Sequence, residues 1–197
     1  MSGPQILIVG GGMITHDQLL PSLYHIQRQG RLGPIAVCAS RFGTVRDLAR
    51  GETLLRAFPG QSFRAWPDRD GPPQPELYRE AIAALPPRQI VVVAVPDQLH
   101  YGVAMAALAR DQHVLCVKPL VLEYRHAAAI EREARARALL VAVERRLESC
   151  GVDAGQRNVG AEPVNQERAQ GEPDPLLQLV GLGQRAEIEV CRKLFRC

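Results

Sequence analysis

The sequence is short of lysine, of aromatic residues and of net charge, and each shortage narrows what the chain can be. Of its 24 basic residues only Lys118 and Lys193 are lysine, which leaves 22 arginines. The net charge is +3 and aromatic residues make up 5%. A nucleic-acid reader needs a dense basic patch with interleaved aromatics, and no such stretch occurs. The five cysteines (Cys38, Cys116, Cys150, Cys191 and Cys197) are odd in number and contain no C-x-x-C pair, which argues against a disulfide framework and a thiolate metal site. No apolar run approaches membrane-spanning length. An apolar strand begins within five residues of Met1, too early for a signal peptide. The expectation is a cytoplasmic protein in a reducing compartment, with no membrane or nucleic-acid partner, no metal, and Cys38 and Cys116 as buried thiols.

What the sequence does contain is concentrated near its start. Ile6, Leu7, Ile8 and Val9 run into Gly10, Gly11 and Gly12, and the chain leaves through Met13-Ile-Thr-His16. A buried strand, a tight turn and a helix start require that order. In a dinucleotide-binding βαβ unit such glycines allow positive φ and close approach of backbone amides to a pyrophosphate. The helix start, here Met13 and Ile14, adds unpaired N–H groups and the positive end of its dipole. Against G-x-G-x-x-G/A, Gly10 and Gly12 match and the third position is Thr15. A glycine turn that holds no ligand is the alternative reading.

Downstream, apolar periodicity switches repeatedly between two and 3.6 residues. Thr15 or Asp17 caps a helix carrying Leu19, Leu20, Leu23 and Ile26, with Pro21 near its first turn, closed by Gly30 and Gly33. Strands are expected over 34–39, 61–65, 89–95, 113–116 and 139–143, and helices over 44–57, 76–85, 96–109 and 123–138. Residues 67–75 form a turn-rich loop. Alternating strands and helices give an α/β fold, a doubly wound and mostly parallel (Rossmann) sheet over 1–144, with its ligand outside the carboxyl ends of the strands. Residues 145–197 lose the periodicity and read as a poorly ordered, irregular C-terminal tail.

Three places at strand ends carry chemistry. The first is the glycine turn. The second is Ser40-Arg41, where an NAD-binding domain usually places an acidic residue for the ribose 2′-OH. The nearest following acid is Asp47, inside the next helix. A hydroxyl beside a guanidinium suits a 2′-phosphate, so NADP is favoured over NAD, with an ordinary surface arginine as the alternative. The third is Ala94-Val95-Pro96-Asp-Gln-Leu-His100 together with His113-Val-Leu-Cys-Val-Lys118-Pro-Leu120.

Those two segments, in that order and after the glycine turn, resemble the Gfo/Idh/MocA family of NAD(P)-dependent oxidoreductases over residues 5–144. The family has a strand-end P-x-x-x-H segment and an E-K-P segment. By resemblance Val95, Pro96 and His100 border the nicotinamide and its ribose, and Lys118 is the catalytic lysine that contacts cofactor or substrate and assists proton movement. A lysine suits that task better than an arginine because its proton can be given up. Two departures stand out. The family's Glu before the lysine is Val117, and no His follows His126 to supply the acid/base of the family's second domain. The resemblance therefore implies the cofactor-binding part of an enzyme moving hydride at a secondary hydroxyl of a sugar, cyclitol or polyol. A substrate binds only if a substrate domain is supplied, and a frameshift or truncation near residue 145 accounts for the change of character. A non-catalytic nucleotide-binding or regulatory module is the second reading.

Overall fold

In the computed structural model, residues 3–144 are described. The tail expected at 145–197, with Cys150, Cys191, Cys197 and Lys193, lies outside the described residues. Six strands form one all-parallel sheet: β1 (Ile6–Val9), β2 (Ile35–Cys38), β3 (Arg64–Trp66), β4 (Ile90–Val93), β5 (His113–Cys116) and β6 (Val141–Val143). Their order across the sheet is β3-β2-β1-β4-β5-β6, the classic order of dinucleotide-binding sheets. The doubly wound expectation is met.

Parallel sheets are covered on both faces, so their central strands are apolar throughout rather than alternating. In β1, Ile6 and Ile8 point into one core with Leu20, Leu23, Val37, Val45 and Val92. Leu7 and Val9 point into the other, with Ile82, Val91, Val93, Leu108 and Ile130. One face is covered by α1 (Leu20–Arg28), α2 (Phe42–Ala49) and α3 (Glu52–Ala57); the other by α4 (Leu77–Ala83), α5 (His100–Leu108) and α6 (Tyr124–Ala136). Each fully buried Leu, Ile or Val contributes about 1.5–3 kcal/mol. Register aligns Val9 with both Cys38 and Val93. The carboxyl ends of β2, β1 and β4 therefore lie side by side, and the connections diverge to opposite faces between β1 and β4.

Several local expectations are corrected. Helical backbone begins at Met13 rather than at Thr15, and neither Thr15 nor Asp17 acts as a cap. Residues Thr15–Leu19 form a wide turn in which the Leu20 N–H bonds the Thr15 carbonyl, five residues back. Pro21 explains the widening: it lacks an N–H and its ring would crowd the carbonyl of residue 17 in a regular α-helix. The single helix expected over 44–57 is two, α2 and α3, separated at Gly51, whose ψ of 108° is not helical. The third strand starts three residues later than expected, because Gln61 is used differently. Its Nε2 donates to the Tyr24 carbonyl (2.8 Å) and to Gln27 Oε1 (3.1 Å), tying this segment to α1. On α6, Glu131 pairs with Arg135 at 2.6 Å, and Glu133 pairs with Arg137, which closes the helix, also at 2.6 Å.

Candidate cofactor site at the carboxyl edge of the sheet

At the end of β1 the three glycines do three different things. Gly10 has φ +118°, and a Cβ there would lie 2.0 Å from the Ala94 carbonyl oxygen. Only glycine lets the β1 turn touch the end of β4 this closely. Gly11 lies against α2, where a Cβ would meet Thr44 Cγ2 at 2.8 Å. Gly12 has no atom within 4 Å of the place its Cβ would take. The position its Cβ would take therefore faces open space at the carboxyl edge, room that a side chain would fill. Residues here fit a dinucleotide.

Met13 and Ile14 follow on the first helical turn, 77% and 40% exposed. The first internal bond of this turn runs from the His16 N–H to the Gly12 carbonyl. Amides before His16 have no acceptor within the helix, and no side chain caps them. Thr15 is fully buried and its hydroxyl donates to the Gly10 carbonyl at 2.7 Å. The third motif position thus closes the turn from inside.

Ser40 and Arg41 lie exposed just past β2, with Arg41 in extended backbone immediately before α2. Asp47 is on α2 and pairs with Arg46 at 2.7 Å. The Ser40 carbonyl accepts from the Gln74 N–H at 2.7 Å, which brings the 67–75 loop over this end of the sheet. Sequence reasoning left that loop without a role.

Beyond β4, Val95 is half-buried and Pro96 exposed. His100 is placed differently from expectation. It is fully buried, with Nε2 2.8 Å from the Val95 carbonyl oxygen and Nδ1 2.7 Å from that of Pro119. Both neighbours are acceptors, so the ring tautomer decides which takes the N–H. Cys116 Sγ lies 3.3 Å from Nδ1. The ring offers no face to a ligand; it holds the β4 and β5 ends together. Burial, then Asp97, pushes the Cys116 thiol up to about 12, and burial, then Glu80, pushes Cys38 up to about 12 as well. Both are buried free thiols and stay protonated at neutral pH.

Lys118 is exposed at the carboxyl edge, and its peptide bond to Pro119 is cis. Val117 before it is 4% exposed and packed with Ile8 and Val92. One titratable group near this edge escaped the sequence reading. Glu144, directly after β6, is half-buried, and its N–H donates to the Cys116 carbonyl at 2.7 Å. Burial pushes its carboxyl up, while the Lys118 cation acts in the opposite direction. Its only signal in the sequence was a charge closing the strand Leu-Leu-Val-Ala-Val-Glu144. Among the described residues no group of three or more His, Cys, Asp or Glu could hold a metal ion, and no helix is long and apolar enough to cross a membrane.

Solved structures with the same fold include a 3-ketoreductase from Actinomadura kijaniata, KijD10, in complex with NADP and TDP-benzene. The match has a TM-score of 0.53 and 20% identity, covering 72% of this chain and 37% of that one. A biliverdin reductase from Synechocystis sp. PCC 6803, in complex with biliverdin and NADP+, matches with a TM-score of 0.51 and 21% identity over 71% of this chain and 37% of that one. An NAD binding oxidoreductase from Klebsiella pneumoniae gives 0.53 and 21%, over 73% and 35%. The chain spans little more than a third of the length of these proteins. No curated protein sequence matches it. The profile of the oxidoreductase family with the NAD-binding Rossmann fold matches residues 5–145. That interval begins just before β1 and ends just beyond Glu144, so it takes in the whole sheet and every strand end described above. The chain belongs to the Gfo/Idh/MocA oxidoreductase family, through that family's dinucleotide-binding domain.

Proposed function

We propose that the chain binds NADP(H) in preference to NAD(H), as the cofactor-holding part of an oxidoreductase acting at a secondary hydroxyl of a sugar, cyclitol or polyol. The observation that carries the cofactor preference is the β2 end. Ser40 and Arg41 stand exposed there and the nearest following carboxylate, Asp47, is engaged by Arg46 on α2. A 2′-phosphate gains charge-assisted hydrogen bonds from such a pair, whereas a 2′-OH gains most from an acceptor. The A. kijaniata ketoreductase and the Synechocystis reductase were both crystallised with NADP, which is in keeping with this reading.

In the proposed complex, amides of Gly12, Met13 and Ile14 hold the pyrophosphate, and Val95 and Pro96 border the nicotinamide end. His100 serves from below by keeping those ends in register. The nicotinamide, when bound, supplies or accepts the hydride. Lys118 faces the same edge and handles the proton of the reacting hydroxyl. Residues 3–144 form one wall of such a site, so turnover requires a substrate-holding surface from outside them.

Fluorescence titration of the full chain with NADPH and with NADH tests the preference. NADPH is expected to bind more tightly, and R41A to weaken NADPH by about tenfold or more while leaving NADH nearly unchanged, as for loss of a charged hydrogen bond. Equal affinities, or no signal with either nucleotide, would overturn the proposal.

A further inference from the structure

His100 has more hydrogen-bond partners than one neutral ring can serve. Its Nε2 lies 2.8 Å from the Val95 carbonyl oxygen, and its Nδ1 lies 2.7 Å from that of Pro119. Both are hydrogen-bonding distances, and both oxygens can only accept. An unprotonated ring nitrogen this close would set its lone pair against that of the oxygen. A neutral imidazole carries a single N–H, so it fits one of the two carbonyls and is opposed by the other. The imidazolium carries two and fits both. The ring is fully buried, where a charge is costly unless each of its donors is paired, and here each is.

A second arrangement is in place for the neutral ring. Cys116 Sγ lies 3.3 Å from Nδ1. Burial, then Asp97, pushes that thiol up to about 12, so it keeps its proton. Once Nδ1 gives up its own proton, the thiol can donate to it while the Nε2 N–H stays on Val95. Other titratable groups around α5 are Tyr78 of α4, which approaches Gly102, and His126 of α6, whose ring stacks on Tyr101 at 4.0 Å. Asp97 stands on the turn before α5, and Lys118 and Glu144 follow β5 and β6. The ring's own hydrogen-bond partners are the two carbonyls and Cys116.

We propose that His100 is a proton-operated latch on the Lys118-Pro119 segment. With two ring protons it ties the Pro119 carbonyl to the end of β4. With one, Cys116 takes over at Nδ1 and the segment is released. The consequence for the reaction rests on the reading of Lys118 as the proton-handling residue, because Lys118 is joined to Pro119 and moves with it. Lys118 is held at the edge while the ring is charged and loosened when it is neutral.

The chain has five histidines, so the ¹⁵N shifts of the His100 ring can be assigned by substituting the other four in turn. In the full chain without nucleotide, both ring nitrogens are expected to be protonated at about pH 5 and only Nε2 at about pH 8, the span over which histidine changes charge. The Lys118 and Leu120 amide resonances should move with the same inflection. C116A removes the waiting donor and should shift the inflection to higher pH. C116S supplies a stronger donor and should shift it lower. A ring that keeps one tautomer across this span, or an inflection that neither variant moves, would overturn the proposal. NADPH titration of the same samples keeps the two readings separate. A shifting inflection in a protein that binds no NADPH would uphold the latch and refute the cofactor reading; a fixed tautomer in one that binds NADPH would do the reverse.

Discussion

The Thr15 hydroxyl donates to the carbonyl of Gly10 across 2.7 Å, from a side chain with no exposed surface. Where the dinucleotide fingerprint places a third small residue for close helix–strand packing, this chain therefore has a hydrogen bond that braces the turn against the helix. T15V keeps the shape and removes the donor. It should destabilise residues 3–144 by about 1–3 kcal/mol, the cost of leaving a buried carbonyl unpaired. T15S should retain most of the stability. Urea denaturation of the three proteins checks this; equal midpoints for T15V and the parent would show that the bond contributes nothing.

Gly10 and Gly12 should respond to alanine in opposite ways. At Gly10 the added methyl would sit 2.0 Å from the Ala94 carbonyl oxygen in a backbone with φ +118°. Strain and overpacking together should cost about 3 kcal/mol or more. At Gly12 the methyl meets nothing within 4 Å, so stability should change by less than about 0.5 kcal/mol. G12A should nonetheless lose NADPH affinity, because its methyl takes the room proposed for the pyrophosphate. Thermal melting paired with nucleotide titration separates the two effects. A G12A protein that binds NADPH as well as the parent would exclude this surface as the phosphate site.

His100 spans the Val95 and Pro119 carbonyls at 2.8 and 2.7 Å. H100A empties a fully buried position and removes the ring from both carbonyls. Cavity and unpaired-acceptor terms of this kind put the expected loss at about 3 kcal/mol. Denaturation midpoints measure it. Because the ring is buried beneath the edge, H100A should weaken NADPH binding only through unfolding, and binding should recover at low temperature or with a stabilising osmolyte. Full stability combined with abolished NADPH binding would instead make His100 a direct contact.

The legible parts of the sequence were those where one physical cause acts locally. Two-sided burial writes itself as Ile-Leu-Ile-Val in β1 and Ile-Val-Val-Val in β4, and the sheet and its carboxyl edge follow from that pattern. Gly10 was legible because the turn needs positive φ. Other features depended on partners distant in sequence. Gln74 over Ser40 and the Glu144 N–H on the Cys116 carbonyl arise from loop closure and strand register, which no local pattern encodes. His100 was read as a ligand contact because position along the chain gives proximity to the edge but not the direction of the side chain. The break at Gly51 and the wide turn before Pro21 lay within plausible helical periodicity, and only the backbone dihedrals and the proline geometry decide between one helix and two.

His113 makes the fold sensitive to acid at the other end of the sheet. Its Nδ1 accepts the Leu140 N–H at 3.0 Å, a bond available only when that nitrogen is unprotonated. Burial, then the neighbouring Arg88 charge, holds the imidazole below its ordinary range. The native protein therefore keeps the ring neutral at pH values where the unfolded chain takes up a proton. With more protons bound in the unfolded state, stability rises with pH through this window and falls as pH drops below about 6.5. H113Q cannot titrate, so it should lose less stability than the parent between about pH 7.5 and pH 5.5. The partial exposure of the ring makes this a modest effect. Urea midpoints for both proteins at the two pH values provide the check, and parallel losses would show that His113 does not set the acid limb.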